Sequence, residues 1–502
     1  MITVKKKAII NIVFSLLLQF VTIVSGFIVP RMIIETFGSE TNGLLNSITS
    51  FIAYITLLQS GVGGVIRAAL YKPLALKNHY DLCVILKTTE RFFKKIAYIT
   101  ILYIGILSLL FPYIITRNFS FLYTFSLVII VGVSTAAQYF FGITYQMLLE
   151  ADQKSYVYSL VQIITIILNT VSSIVLINLN YSIQFVKFIS SIFFVLRPLA
   201  INIYTKRKYH INTNVEIDND MISQRWDGVA QAIAYFVHSK TDVFVLTIFS
   251  SLSNVSVYSV YALVTSGLTA LIECVDKAVR AAFGNIIALK ENEKLCNSFN
   301  AYNCLIHLLS TVIFSTACIT IFNFVHVYTK NVNDANYQQT LFGVLILTAE
   351  YMYCLRMPYN AIITTAGKFK ETKKSAYLEA LINIIVSCIL VKLFGLVGVA
   401  IGTLFAMIYR SISFGMFLSS NILNLNKFQQ IKRYLTSLIT YILSIFILNN
   451  VNVAVEGYFE WVVYAFCIFI IDTLIVFILN LLIQKEETIK AMGMLLGRKC
   501  LK

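Results

Sequence analysis

Long apolar runs broken by short polar stretches set the architecture of this chain. Fourteen runs stand out, at about 8–36, 41–66, 92–115, 120–148, 156–177, 183–204, 226–249, 255–287, 298–323, 338–365, 376–394, 397–418, 433–450 and 460–483. Nearly all reach the roughly 20 residues that a helix needs to cross about 30 Å of hydrocarbon. Their apolar residues do not alternate with polar ones, which argues against barrel strands. Irregular backbone would leave unpaired polar groups in lipid. The pattern therefore predicts an all-α integral membrane protein of 14 transmembrane helices.

Composition removes the alternative of a soluble domain. Of 502 residues, 58% are hydrophobic and 13% charged, about half the charged fraction usual for soluble domains. The longest external loop is short, around 326–337, and the segment 205–225 is too short to fold alone. Lys5-Lys6-Lys7 precede the first run, but that run is too long for a secretory signal and no small-residue cleavage site follows it. It reads as an uncleaved anchor.

Charge then orients the spans. Lys and Arg concentrate at 67–95, 205–225 and 368–374, whereas 450–460 carries only Glu456 and Glu460 as charges. By the positive-inside tendency these basic segments are cytoplasmic, which places both termini in the cytoplasm. Much of the net charge of +16 is thus topology and contact with anionic membrane lipid, and it gives no support to a nucleic-acid partner. The nine cysteines form no CxxC pair and have no histidine at ligand spacing; Cys83, Cys274, Cys304 and Cys388 read as small apolar fillers. The sequence shows no metal-ligand cluster, phosphate-cradling glycine loop or nucleophile–base set, so no cofactor and no enzyme activity is expected. Transport would have to run on an ion gradient, a potential or the substrate's own gradient.

An internal repeat appears at an offset of 213–214 residues. Arg67-Ala68-Ala69 falls on Arg280-Ala281-Ala282, Tyr145 on Tyr359, Lys154 on Lys368, Asn169 on Asn383 and Arg197 on Arg410. Six spans per copy keep both copies in one orientation, a parallel pseudo-twofold repeat about the membrane normal, as in secondary transporters that bind between two lobes. The expected organisation is a six-helix lobe at 1–205, a cytoplasmic linker at 206–225, a second six-helix lobe at 226–420, and two extra helices with a cytoplasmic tail at 421–502.

Polar residues inside spans cost about 2.5–3.5 kcal/mol each when charged, so they should face a cavity or one another. In span eight Glu273, Asp276, Lys277 and Arg280 share one helical face. In span seven Asp227, Gln231, His238 and Asp242 lie within one narrow arc. Together these faces predict a wet cavity in the second lobe; the plainer alternative is that Asp276, Lys277 and Arg280 neutralise one another at the interface. Span ten carries Glu350, Arg356 and Pro358, as a bent, cavity-lining helix would. Arg31 follows Pro30 at the end of span one, and Asp472 stands alone in the interior of span fourteen. Arg67 has no acidic neighbour on its own helix, which suggests a free cation.

Five segments carry a family resemblance. The first hairpin reads Pro30-Arg31-Met32-Ile33-Ile34-Glu35-Thr36-Phe37-Gly38-Ser39-Glu40-Thr41-Asn42-Gly43-Leu44. The cytoplasmic turns are Met147-Leu148-Leu149-Glu150-Ala151-Asp152-Gln153-Lys154 and Thr365-Ala366-Gly367-Lys368. The fourth is the hairpin from Asp242 to Tyr258-Ser259, and the fifth the turn from Phe394-Gly395 to Gly402-Thr403. The chain resembles the polysaccharide transporters (Wzx-type flippases) of the multidrug/oligosaccharidyl-lipid/polysaccharide exporter superfamily. The resemblance implies a two-lobe flippase of the bacterial cytoplasmic membrane. It would move an undecaprenyl-diphosphate-linked oligosaccharide by alternating access, with polysaccharide polymerase and glycosyltransferases as possible partners.

The expected diphosphate ligands are then Arg67, Arg280, Lys277, Arg31 and Arg356, and the ion-coupling or cavity residues Asp242, Glu273, Asp276, His238, Glu350 and Asp472. A multidrug or small-metabolite antiporter of the same superfamily is the rival transporter. A membrane glycosyl-polymerase or ligase is the rival of another class, and it should show a larger external loop.

Overall fold

The computed structural model describes residues 4–59, 62–115, 119–212, 215–216, 229–368, 370–423, 425–449, 451, 453 and 455–495. Among these, the regular structure is helical throughout. The helices are α1 (Val4–Phe37), α2 (Ser39–Ala53), α3 (Val62–Leu76), α4 (His79–Ile114), α5 (Phe121–Ala137), α6 (Ile143–Ala151), α7 (Ser155–Asn178), α8 (Ile183–Tyr209) and α9 (Val229–Phe249). There follow α10 (Leu252–Ala288), α11 (Asn292–Tyr328), α12 (Thr340–Leu355), α13 (Met357–Thr365), α14 (Lys373–Phe394), α15 (Leu396–Asn421), α16 (Lys427–Leu448), α17 (Tyr458–Ile483) and α18 (Lys485–Leu495). Starts are marked by capping side chains: those of Asn78, Ser120, Ser182 and Asn426 each accept a backbone N–H of the first turn.

Twelve helices among the described residues are long and apolar enough to cross a membrane, or thirteen if a bent pair counts as one span. Their outer faces are apolar: Ile12, Leu16 and Phe20 on α1 and Phe459, Phe466 and Leu482 on α17 are all exposed. Exposed apolar stripes of this length fit lipid and not water. The chain is a multi-pass membrane protein.

Two expected spans differ in detail. The run 41–66 is not one straight helix: Ser39–Leu58 ends in a 3₁₀ turn at Tyr54–Leu58, and α3 continues at a bend of 49°. Gly63 and Gly64 open α3 just past that bend, and glycine weakens a helix interior. Within the run 226–249 the described residues form α9, which carries Lys240 and Asp242 and is not among the twelve. Asp227 lies outside the described residues.

The chain forms two compact units. The first is Met1–Phe236 with Ser251–Ser256, the second Val237–Ser250 with Val257–Lys502. In the first, α1 runs along α7, α4 along α5, and α8 against both α5 and α7. A π-helical turn at Gln138–Gly142 joins α5 to α6. In the second, α15 packs on α14 and α12, while α11, buried along most of its length, touches α12, α16, α17 and α18. α12 breaks at Arg356, and Pro358 stands at the start of α13, as a proline bend in span ten predicts.

The backbone carries the repeat offset as well. Left-handed residues occur at Lys77 and Lys290, at Gln153 and Gly367, and at Asn180 and Gly395. The pairs are 213, 214 and 215 residues apart, within one residue of the offset seen in the sequence.

Candidate functional site

In the first unit, α3, α5, α6, α7 and α8 line an open polar cavity of about 580 Å³ whose lining includes Thr56, Gln59, Arg67, Gln138, Glu150 and Arg197. A second cavity of about 340 Å³ shares Thr56, Ser134, Thr135 and Phe194 with it and adds Asn169 and Lys187. Arg67 is not free. Its Nη1 donates to Glu150 Oε2 at 2.8 Å, and Gln146 Nε2 donates to the other carboxylate oxygen at 2.9 Å. The acid comes from α6, so a reading confined to the arginine's own helix misses it. Both side chains are only partly covered, and this bond uses one of the five guanidinium N–H groups, leaving a fork that can meet a second acceptor.

Arg197 completes the cationic wall: its Nε donates to Thr165 Oγ1 at 3.1 Å and its guanidinium lies 4.9 Å from the Phe194 ring centre. Lys187, in the first turns of α8, lines the smaller cavity with Ser190 and Asn169. Both cations were missed as site residues. A lone lysine inside an apolar run was the available signal, because a charge there is costly unless it faces a cavity. Arg31 is half-buried on α1 and lines neither cavity.

In the second unit Asp242 is buried at 1% exposure. Thr403 Oγ1 stands 2.9 Å from each carboxylate oxygen, and Tyr258 OH donates to Oδ2 at 3.0 Å. Asn383 Nδ2 donates to Thr403 Oγ1 at 3.0 Å, while its buried Oδ1 has no protein partner. The four residues come from α9, α10, α14 and α15. The backbones of α14 and α15 approach closely because Gly398 and Gly402 carry no side chain: a Cβ on Gly402 would sit 2.2 Å from Ser387 Oγ. One carboxylate, a hydroxyl and an orphan amide oxygen suit a proton or a monovalent hard cation better than a divalent or soft metal.

Most of the other expected site residues have ion-pair or hydroxyl partners. Asp276 accepts from Arg280 Nε at 2.6 Å and from Tyr302 OH at 2.7 Å, and Arg280 Nη1 lies 3.3 Å from Thr364 Oγ1. Lys277 is exposed and meets Glu273 at 3.1 Å; Glu273 also lies 3.5 Å from Tyr353 OH. Glu350 accepts from Thr269 Oγ1 at 3.3 Å. Arg356 is buried and bonds Glu379 at 2.6 Å, while Arg410 Nε reaches the other Glu379 oxygen at 3.3 Å. Asp472 is fully buried against hydroxyls of α11 and α16. The His238 side chain lies outside the described ones. Outside the spans, Lys368 Nζ donates to Glu371 Oε1 at 2.9 Å, a bond that holds this carboxyl below its ordinary range.

The fold has solved counterparts. A lipid II flippase, MurJ, in an inward closed conformation matches with a TM-score of 0.71 at 14% identity, covering 95% of this chain and 99% of the flippase. An inward-facing multidrug resistance MATE family transporter of the MOP superfamily matches at 0.63 and 13% identity, covering 80% of this chain and 95% of its own. The MATE multidrug transporter DinF-BH matches at 0.61 and 14% identity, covering 83% and 97%. The fold is that of MOP-superfamily transporters. No family model and no curated protein matches the sequence.

Proposed function

We propose that this MOP-fold transporter is a flippase that carries an undecaprenyl-diphosphate-linked oligosaccharide across the bacterial cytoplasmic membrane by alternating access. The observation that carries this reading is coverage. The lipid II flippase accounts for 95% of the chain, whereas the multidrug transporter at TM-score 0.63 accounts for 80% of it. The first-unit cavity supports it chemically, since Arg67, Arg197 and Lys187 offer cationic donors suited to a diphosphate and the glutamines and hydroxyls suit a sugar. Arg67 leaves Glu150 for the phosphate oxygens in this reading, so the carboxylate acts as a built-in competitor. Arg280 and Lys277 remain phosphate-binding candidates of the second unit, while Arg356 serves the ion triad with Glu379 and Arg410.

An apolar cavity of about 540 Å³ between α15 and α16, lined by Ile408, Ile412, Met416, Ile431 and Leu435 among others, suits part of a prenyl tail. Asp242, with Thr403 and Asn383, is the proposed seat of the coupling proton or cation. These residues would hold the ion, and its charge would offset that of the buried carboxylate. Two six-helix lobes related by a parallel pseudo-twofold axis, two added helices and cytoplasmic termini complete the proposal.

The test is surface-glycan complementation in flippase-deficient bacteria, paired with transport of the lipid-linked oligosaccharide in proteoliposomes. Restored glycan and vesicle transport support the reading. Failure of both, together with extrusion of cationic dyes, would favour the multidrug antiporter that the shared fold also accommodates.

A further inference from the structure

α11 and α16 face each other with matching polar stripes. On α11 these are Asn300, Asn303, His307, Ser310, Thr311 and Ser315; on α16 they are Gln430, Arg433, Ser437, Thr440, Tyr441 and Ser444. Spacings of three and four residues put each set on one helical face. Contacts run along the seam. Asn303 Nδ2 donates to Tyr359 OH at 3.1 Å, and Tyr359 OH donates to Gln430 Oε1 at 2.7 Å. His307 Nδ1 lies 2.8 Å from Ser437 Oγ, and Thr311 Oγ1 lies 2.9 Å from Tyr351 OH. The seam ends at Asp472 of α17, whose carboxyl meets Ser315 Oγ at 2.5 Å, Thr316 Oγ1 at 3.0 Å and Ser444 Oγ.

Two features go beyond helix-to-helix adhesion. First, seven buried polar atoms here have no protein partner: Asn300 Oδ1, Asn303 Oδ1, His307 Nε2, Ser310 Oγ, Gln430 Nε2, Arg433 Nε and Thr440 Oγ1. They are half of the fourteen such atoms among the described residues. Buried polar atoms are almost always satisfied, by protein or by ordered water, and a continuous row of them is what a file of water needs.

Second, the hydroxyls around Asp472 accommodate a carboxylic acid as well as a carboxylate. Ser315 has one hydroxyl proton and lies 2.5 Å from both Thr311 O and Asp472 Oδ2. When that proton serves the backbone carbonyl, the contact with Asp472 needs a proton from the acid. No ion pair to Asp472 is found among the described residues. The other titratable groups that face this seam include Cys304, His307 and Cys318 on α11, Tyr351 on α12, Tyr359 on α13, and Arg433, Tyr434 and Tyr441 on α16, with Glu487 of α18 at its end. The two ends of the seam differ. Beyond Asp472, the apolar side chains of Val327, Leu448, Val455 and Ile468, together with Tyr464, close the gap. At the other end Arg433 pairs with Glu487 of α18, which is partly exposed.

We propose that the α11–α16 seam is a water-lined proton path, open at the Glu487 end and closed at the other, and that it delivers a proton to Asp472. Water carries the proton along the row; Asp472 changes from carboxylate to carboxylic acid on uptake and reverses on release to the same side. This is a second ion site, separate from Asp242, and it does not depend on the identity of the transported substrate.

The experiment is difference infrared spectroscopy of the purified full-length protein in liposomes across a pH jump, in H₂O and in D₂O. A carboxylic acid C=O band that disappears in Asp472→Asn is expected. The asparagine is isosteric with the acid, so that variant should elute as wild type does. Ser310→Leu fills the seam and keeps Asp472, and should slow deuterium exchange at that band by an order of magnitude. Thr440→Val should slow it less. Absence of an acid band assignable to Asp472 at any pH overturns the proposal. So does exchange in Ser310→Leu as fast as in wild type, an arm that stands even where Asp472→Asn fails to fold.

Discussion

Arg67 Nη1 and Glu150 Oε2 lie 2.8 Å apart on the wall of the first-unit cavity, a cation from α3 held by an acid from α6. If the carboxylate competes with phosphate for this guanidinium, the two partners should respond in opposite directions. Glu150→Gln is expected to bind a soluble prenyl-diphosphate analogue more tightly, and Arg67→Ala more weakly by about tenfold or more. That follows from the roughly 1.5–3 kcal/mol of a hydrogen bond to a charged group. Arg67→Lys should resemble the alanine more than the wild type, because a point charge replaces a two-pronged donor. Calorimetric titration of the three variants checks this, and weaker binding by Glu150→Gln would remove the competitor role.

Asp242 and Thr403 should act as one unit. Asp242→Asn removes the charge, and Thr403→Val removes a hydroxyl that touches both carboxylate oxygens. Both variants are expected to reach the membrane at near wild-type levels and to lose the response of transport to an imposed proton or sodium gradient. Transport in proteoliposomes under each gradient separately is the measurement. A gradient response intact in both variants would exclude this site from coupling.

Glu379 sits between two buried arginines, so its loss leaves two cations without their counter-ion. Removing one partner of a buried pair costs about 3–5 kcal/mol. Glu379→Gln should therefore lower the thermal midpoint of the detergent-solubilised protein far more than Glu371→Gln, whose acid is in an exposed turn. Equal midpoints for the two variants would show that the triad contributes little.

Gly402→Ala tests the close approach of α14 and α15. The added methyl would meet Ser387 Oγ at 2.2 Å and Ser387 N at 2.8 Å, and a backbone atom cannot swing aside. An overpacking cost of about 1–3 kcal/mol is expected, with transport impaired because Thr403 is the next residue. Gly105→Ala serves as the control, since a Cβ there meets nothing within 4 Å and the residue lines neither first-unit cavity. Thermal melts and the vesicle assay together separate the two.

The sequence alone determined what lipid demands of a chain one segment at a time. Run length and charge placement gave the all-helical membrane class and most of the spans, since a helix in hydrocarbon satisfies its backbone within itself. The offset between Lys154 and Lys368 was also readable in the letters, and left-handed turns at Gln153 and Gly367 flank the same positions. Pro358 announced the break between α12 and α13, because proline acts through its own backbone.

Only tertiary structure decided which charges are occupied. Arg67 looked free along its helix and is held by an acid 83 residues away. Arg356 looked like a ligand and is engaged by Glu379 and stacked near Tyr353. Asp242 was legible as an expensive buried acid, but its partners Thr403 and Asn383 come from distant segments, 161 residues on in the case of Thr403. Asp472 stood alone in its span, and the hydroxyls around it belong to α11 and α16. Helical periodicity fixes the face on which a residue lies, whereas the partner depends on which helices pack together. That choice is made by side-chain fit across the whole bundle, which no local pattern encodes.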